Sequence, residues 1–346
     1  MTTPHSMPTR PLGRTGLPVS VIGFGAAPLG DLYARLDDAE AIATVEAAAQ
    51  AGITLFDTSP HYGNGLSEHR CGTALRRMGR GGVVLSTKVG RWMNPRLPVE
   101  AHRGGTTSPG FAGGLPHRAG FDYSYDGALR SVEQSLLRLG TDRIDLLLIH
   151  DVDVWTHGEG MEQRFREAMD GAYRALVRLR DEGVVKGIGV GVNEAELCVR
   201  FAEAGDFDTM LLAGRYSLLE QPALEHFLPL ALKKGIGVML GGVFNSGILA
   251  TGAVPGARYN YAAPSPAIVE RVSRIEAVCA RHEVPLPRAA LQFPLGHPAV
   301  SSIILGAVTP SEVRRNVEAL GQPVPGTLWA ELKAEGLLAA SAPTPE

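Results

Sequence analysis

The sequence predicts an α/β fold of the closed (β/α)8 barrel type, preceded by an N-terminal β-hairpin. Three observations carry that expectation. Eight short apolar runs alternate with eight stretches of helical period, the element order of a parallel sheet wrapped by helices. Those runs are continuous in apolar residues rather than alternating, as strands covered on both faces require. The rival fold, an open doubly wound sheet, lacks its fingerprint. Gly23-Phe24-Gly25 is followed by Ala26, Ala27 and Pro28 instead of completing G-x-G-x-x-G, and Gly187, Gly189 and Gly191 have the wrong spacing.

In chain order, Arg10–Pro18, with Gly13 and Gly16, reads as the small hairpin laid over one end of the barrel. The first strand is expected at Val19–Phe24 and its helix at Asp37–Gln50, with Asp38 able to cap and Gly52 beyond the end. Ile53–Asp57 and Val83–Lys88 follow as strands, separated by a helix over Ser67–Arg77. Between residues 91 and 125 no helical or strand period is visible, only Gly, Pro, Arg and His. A loop longer than about 12–15 residues is commonly a functional lid or a disordered segment, and this one follows the third strand. It is therefore placed on the C-terminal face, where barrel active sites are built. Helix Asp126–Leu139 leads to strand Ile144–His150, and helix Met161–Glu182 to strand Gly187–Asn193. Helix Glu194–Ala204 precedes strand Thr209–Ala213, and helix Ala223–Lys234 precedes strand Gly237–Leu240. Helix Ala267–His282, strand Ser302–Leu305 and helix Pro310–Leu320 complete the count, with Pro310 suited to a first turn. One domain over residues 1–346 is expected, with its core at about 10–321 and a tail at 322–346.

Composition narrows the function. Lys and Arg total 33 against 36 Asp and Glu, a net charge of −3, so the basic excess of a nucleic-acid binder is missing. No apolar run reaches the roughly 18–20 residues of a membrane span, and Met1–Arg10 does not resemble a signal peptide. Cys71, Cys198 and Cys279 are odd in number and far apart, which argues against a disulfide framework or a zinc site. A soluble cytoplasmic protein is expected, a monomer or small homo-oligomer, with a small molecule as its partner and no metal.

Several strands end in reactive side chains. Asp57 closes the second, with Tyr62 five residues on; Lys88 closes the third, His150 the fourth and Asn193 the fifth. Each alone reads as a loop cap or a core polar group, but on one rim they suit proton transfer at a carbonyl. A free phenol has a pKa of about 10, too high for efficient exchange near neutrality. A neighbouring ammonium such as Lys88 is expected to lower it, with Asp57 holding the lysine and His150 polarising the substrate oxygen. No G-x-S-x-G, H-E-x-x-H or P-loop is present, and the group has no redox part of its own, so redox chemistry needs a cofactor.

From about Leu12 to Leu320 the chain resembles an aldo–keto reductase. The resemblance is carried by Phe56-Asp57-Thr58-Ser59-Pro60-His61-Tyr62-Gly63, by Ser86-Thr87-Lys88 and by Asp145-Leu146-Leu147-Leu148-Ile149-His150. It implies NAD(P)-dependent hydride transfer, with Asp57, Tyr62, Lys88 and His150 as the catalytic four. It further implies a cofactor site drawn from Gly25, Asp57, Asn193 and Tyr216. The loop Gly241, Gly242, Val243, Asn245, Gly247 and Leu249 is assigned to the pyrophosphate. Gly306, Val308, Thr309, Glu312, Arg315 and Asn316 are assigned to the adenosine end. Tyr216 is expected beneath the nicotinamide ring, and Asn193 on its carboxamide. The family's usual Gln is replaced by Ala213.

Phe121–Gly127, His150-Asp151 and Arg215–Gln221 resemble the branch of L-fucose, D-threo-aldose and L-galactose 1-dehydrogenases, which also holds pyridoxal 4-dehydrogenases. That branch implies oxidation of an aldose at its anomeric carbon. Pyridoxal oxidation, broad carbonyl reduction and a non-catalytic cofactor-sensing module are the alternatives. Substrate contacts are expected from Tyr62, His150, Trp92 and Trp155, among polar neighbours His61, Arg91, Asp151, Asp153, His157 and Asn245. NAD is favoured over NADP because Glu312 stands where a phosphate-binding cation is expected, although Arg314 and Arg315 are near.

Overall fold

The computed structural model describes residues 7–96 and 111–345. Strands β1 (Thr9–Pro11) and β2 (Pro18–Ser20) pair antiparallel as the hairpin. Strands β3 (Ile22–Gly25), β4 (Leu55–Asp57) and β5 (Val84–Val89) begin the barrel, with helices α1 (Asp38–Gln50) and α2 (Leu66–Met78) between them. A second antiparallel ribbon, β6 (Arg91–Met93) with β7 (Ala119–Phe121), rises from the end of β5. Helix α3 (Tyr125–Leu139) returns to β8 (Leu146–His150). The short α4 (Val154–His157) then leads to α5 (Met161–Glu167) and α6 (Tyr173–Asp181), and these to β9 (Gly187–Val192). Helix α7 (Ala195–Ala204), strand β10 (Thr209–Ala213), helix α8 (Phe227–Lys234) and strand β11 (Gly237–Gly241) come next. After them run α9 (Ile248–Thr251), α10 (Pro266–Arg281), α11 (Leu286–Gln292), β12 (Val300–Gly306), α12 (Pro310–Leu320) and α13 (Gly326–Ala334). Strands β3, β4, β5, β8, β9, β10, β11 and β12 close in that order into a parallel barrel, as the sequence predicts.

Alternate residues of each strand serve two cores. Leu147 and Ile149 of β8 belong to the large apolar layer between barrel and helices. Leu146 and Leu148 face inward with Leu55, Val84, Leu211, Met239 and Ile304, and Leu12 and Val19 of the hairpin join them. The hairpin therefore plugs the N-terminal end, which leaves the C-terminal rim for chemistry.

Four local expectations are corrected. The run Val19–Phe24 divides at Val21 between hairpin and barrel. The Ser20 hydroxyl donates to Ile22 O at 2.6 Å, and Thr54 N donates to the Ser20 oxygen at 2.9 Å, so side chains replace the ladder there. The segment 91–125 is not without structure, because it carries the β6–β7 ribbon; residues 97–110 of it lie outside the described residues. The single helix expected over Met161–Glu182 contains a π-turn at Ala168–Ala172. Ala172 N donates out of the helix to Tyr123 O at 2.8 Å, and Gly171 lets that strand approach. Finally, the expected tail at 322–346 includes α13, whose Leu328, Trp329 and Leu332 are buried in the main core.

Candidate active site

Asp57 and His150 end β4 and β8, Lys88 is the last residue but one of β5, and all three are buried at the C-terminal rim. Lys88 Nζ donates to Asp57 Oδ1 at 2.5 Å and to Thr58 O at 2.8 Å, and the Ser86 hydroxyl donates to the same aspartate oxygen at 2.7 Å. Room for the lysine comes from β9, where a Cβ on Gly191 would lie 3.3 Å from Lys88 Cε. The glycine triplet of β9 thus has a packing reason. Tyr62 stands on the β4–α2 loop, pressed against Gly30, where a Cβ would meet the Tyr62 carbonyl carbon at 2.5 Å. Its ring centre lies 6.0 Å from Lys88 Nζ and 6.0 Å from the His150 ring.

Charge in this cluster is balanced. Burial first, then the carboxylates of Asp57 and Asp151, push the Tyr62 phenol well above its ordinary range. The expected lowering by Lys88 is corrected by this arrangement, because Asp57 neutralises the ammonium at contact distance. Burial and the cations Lys88 and Arg91 hold His150 well below the usual imidazole range, so it is neutral at pH 7. His150 Nδ1 lies 3.1 Å from the Ser59 hydroxyl and Nε2 lies 3.3 Å from Asp151 Oδ1.

Behind these groups Arg91 bridges two loops. Its Nη2 donates to Asp151 Oδ2 at 2.7 Å, and its Nη1 donates to His61 Nδ1 at 2.8 Å. A guanidinium only donates, so His61 Nδ1 is the acceptor and its ring proton is on Nε2. Tyr62, His61, His150 and Asp151 line one wall of a cleft of about 700 Å³, open at its mouth. Trp155, Thr156, Asn193, Leu211, Ala213, Phe111 and Tyr261 also line it. Trp155 is where the sequence expects it, but Trp92 is not. Trp92 lies on the β6–β7 ribbon under the Arg130 guanidinium, 4.4 Å from its ring centre, and does not line the cleft.

A model of the aldo/keto reductase family matches residues 21–334. The chain belongs to that family. It is similar to a pyridoxal 4-dehydrogenase of Microbacterium luteolum, 45% identical over 95% of this chain and 97% of that one. It is also similar to a D-threo-aldose 1-dehydrogenase of a Pseudomonas species, 40% identical over 95% of this chain and 97% of that one. Among solved structures, the holo form of aldo-keto reductase AKR11C1 from Bacillus halodurans superposes with a TM-score of 0.74. It covers 97% of this chain and 98% of its own, at 24% identity, a likeness of fold. The protein is an oxidoreductase of the aldo/keto reductase family, whose members use a nicotinamide dinucleotide.

The aldo/keto reductase cofactor residues divide when placed in the structure. Trp155, Asn193 and Tyr261 are shared between the cleft and a second cavity, which continues along Gly214, Arg215, Gly242, Asn245 and Ser246. Gly242 has φ +63, and a Cβ there would meet Gly214 N at 3.2 Å, so this channel needs bare backbone. Asn193 is held by Asp153, whose Oδ2 accepts from its N and Nδ2, both at 3.1 Å. Asn245 accepts from the Ser217 hydroxyl at 2.6 Å. Tyr216 is a correction. It is buried in the core against Phe293 and His297, lines neither cavity, and so is not positioned beneath a ligand ring. The side chains of Val243 and Leu249 are also in the core, although the space beside Gly247 is open.

Farther round the same C-terminal rim, Gly25 and Gly306 are register partners at the ends of β3 and β12. Thr309 caps α12 by accepting from Glu312 N, and Glu312 Oε2 accepts from Val308 N at 2.8 Å. Asn316 is half-buried on α12, while Arg315 extends into solvent. Sequence reading does not single out Phe111 or Tyr261. Phe111 packs edge-on against His61 at 5.3 Å between ring centres, and Tyr261 faces Trp155 at 6.5 Å. Both come from connections without a period, so no local signal marks them.

Among the described residues no group of three or more His, Cys, Asp or Glu is placed to hold a metal ion. No described helix is long and apolar enough to cross a membrane.

Proposed function

We propose that this protein is an NAD(P)-dependent dehydrogenase that oxidises the anomeric carbon of a free aldose, of the L-fucose or D-threo-aldose type, to the lactone. The observation that carries this reading is the wall of the cleft, where a protonated Tyr62, a neutral His150 and the Asp151 carboxylate stand together beside Trp155. Such a wall suits a small polyhydroxylated ring, which offers hydroxyls for the polar groups and a C–H face for the indole. The fit of the dinucleotide rests on the glycine-walled channel leading away from Tyr62. Asn193, Gly241, Gly242, Asn245 and Gly247 would hold it there, with Asp57 at the inner end and Gly25, Gly306, Val308, Thr309, Glu312, Arg315 and Asn316 toward the adenosine. A nicotinamide dinucleotide held by these residues would supply, in its oxidised form, the acceptor for the hydride of the anomeric C–H. In oxidation the hydroxyl proton of that carbon passes to Tyr62 in its ionised form while His150 hydrogen-bonds the substrate oxygen, which leaves the lactone carbonyl. In reduction the Tyr62 proton travels the other way.

Pyridoxal is the second reading, favoured by the 45% identity to a pyridoxal 4-dehydrogenase. Its aldehyde closes on its own hydroxymethyl group to a cyclic hemiacetal, so both readings describe the same lactol-to-lactone oxidation. Broad carbonyl reduction is a third use of the scaffold. A purely cofactor-sensing module is disfavoured by the intact Asp57–Lys88 pair. For the cofactor we infer NAD. Glu312 is tied into the loop before α12, and its carboxylate would repel a 2′-phosphate. Steady-state turnover with NAD+ and NADP+ against L-fucose, other aldoses, pyridoxal and simple aldehydes tests all of this. Lactone formation from an aldose with NAD+ supports the first reading; turnover confined to pyridoxal replaces it with the second, and a clear NADP+ preference overturns the inference from Glu312.

A further inference from the structure

Asp151 presents its carboxylate to the cleft from a left-handed backbone. Its φ is +56, in the region that favours glycine and that Asp and Asn enter more readily than other residues. The backbone is fixed there by Asp151 N donating to Gly191 O at 3.0 Å. The result is a carboxylate that lines the cleft beside Tyr62 and His150, while its countercharge, Arg91, remains behind it against the Phe121 ring, 4.3 Å from the ring centre. Oδ2 is taken by Arg91 at 2.7 Å, and Oδ1 lies 3.3 Å from His150 Nε2. An ion pair between two loops would account for Oδ2 alone. It does not account for a second oxygen beside the ring nitrogen that meets the substrate.

We propose that Asp151 is the specificity-determining acceptor for a hydroxyl on the carbon next to the reacting carbon, so that 2-hydroxy aldehydes and their cyclic hemiacetals are the preferred substrates. This rests on the reading above in one respect, that Tyr62 and His150 bind the reacting oxygen. The distances close. Gauche oxygens on neighbouring carbons are about 2.8 Å apart, and hydrogen bonds of about 2.7–2.9 Å reach from them to Asp151 Oδ1 and His150 Nε2. When those two bonds run side by side, the two protein atoms stand about 3 Å from each other, and here they lie 3.3 Å apart. A carboxylate cannot donate, so the substrate group must be a donor, which selects hydroxyl over hydrogen or ether. A site built to bind a hydroxyl rejects the analogue that lacks it, because its own polar group is left unpaired.

The test compares matched substrates that differ only in that hydroxyl, lactaldehyde with propanal in reduction and L-fucose with 2-deoxy-L-fucose in oxidation. Two variants are used: Asp151→Asn, which tolerates the left-handed backbone, and Asp151→Gly, which relaxes it. In the wild type, kcat/KM is expected to favour the hydroxylated member by about 10- to 100-fold, the range of one hydrogen bond to a charged group. In both variants that ratio is expected to fall to within about threefold of unity, through loss on the hydroxylated member. If both members decline equally, Asp151 merely positions His150 and the proposal is overturned; it is likewise overturned if the wild type does not discriminate. If L-fucose yields no lactone but the lactaldehyde preference is present and lost in the variants, the aldose reading fails and the assignment of Asp151 stands. A wild type that turns over none of the four substrates overturns both.

Discussion

Lys88→Met separates the electrostatic role of the lysine from any direct part in proton transfer. The side chains of Lys88 and Asp57 are 1% and 3% exposed and meet at 2.5 Å, so removing one leaves the other charged and buried. Asp57 would retain only the Ser86 hydroxyl. Breaking a buried pair in this way costs about 3–5 kcal/mol. For a chain of this size that is a fall in Tm of roughly 4–7 °C, at about 1.4 °C per kcal/mol. The unpaired aspartate would also push the Tyr62 phenol further from ionising, with oxidation expected to fall by roughly 10²–10⁴-fold. The double variant Asp57→Asn, Lys88→Met removes both charges and keeps an acceptor for Ser86. It should regain most of the lost stability and part of the lost oxidation rate. Thermal melts without ligand and steady-state oxidation rates measure the two effects. A single variant as stable as the wild type would refute the buried-pair account. A double variant that is stable but as inactive as the single would make the ammonium itself a participant.

Three further outcomes are expected. Tyr62→Phe should lose roughly 10²–10⁴ in turnover with cofactor affinity nearly intact, since it removes the exchanging proton and no charge; retained turnover would end the proposed mechanism. Trp155→Ala should raise KM for a sugar substrate, whereas Trp92→Ala, outside the cleft, should leave KM unchanged; the reverse pattern would contradict the placement of both rings. Stability should decline on acidification from about pH 6.5 toward 4, because burial pulls the His297 imidazole down to about 4 and holds His61 and His150 low as well. The unfolded chain then binds more protons than the folded one, so stability present above pH 6.5 is lost as pH falls. A Tm flat across pH 4.5–7.5 would refute that.

The parts of this molecule that follow local rules were legible in its sequence. Strand–helix alternation and continuous apolar runs give the barrel, because a doubly covered strand must be apolar on both faces. The strand-end positions of Asp57, Lys88 and His150 could be read because β-strand ends on one face of a barrel converge whatever the loops do. Tyr216 could not be placed, since an aromatic residue just beyond a strand faces ligand or core according to the loop geometry after it. Here that loop turns the ring toward Phe293. The ribbon of β6 and β7 escaped notice because three-residue strands carry too little period to register. The same is true of Asp151. Its place in the chain was visible, but its left-handed backbone depends on Gly191, forty residues later, and the setting of its carboxylate on Arg91, sixty residues earlier.

The charge balance of the cleft also decides which direction of the reaction responds to pH. Both cations near the phenol are paired, Lys88 with Asp57 and Arg91 with Asp151, and the pull of Arg91 toward a phenolate is outweighed. Burial and the two carboxylates then keep Tyr62 protonated throughout the working range. Reduction uses the protonated phenol, so its rate should be flat from about pH 6.5 to 9. Oxidation uses the small ionised fraction, which grows tenfold per unit while pH remains below the phenol's pKa, so log kcat/KM should rise with a slope near one. His150 and His61 are both depressed, and neither should add an acid limb near pH 6–7. Profiles in both directions on one substrate pair are sufficient. A reduction rate that falls as pH rises through 6–7 would mean that the imidazolium form of His150 takes part, and the neutral-histidine mechanism argued from its burial would be wrong.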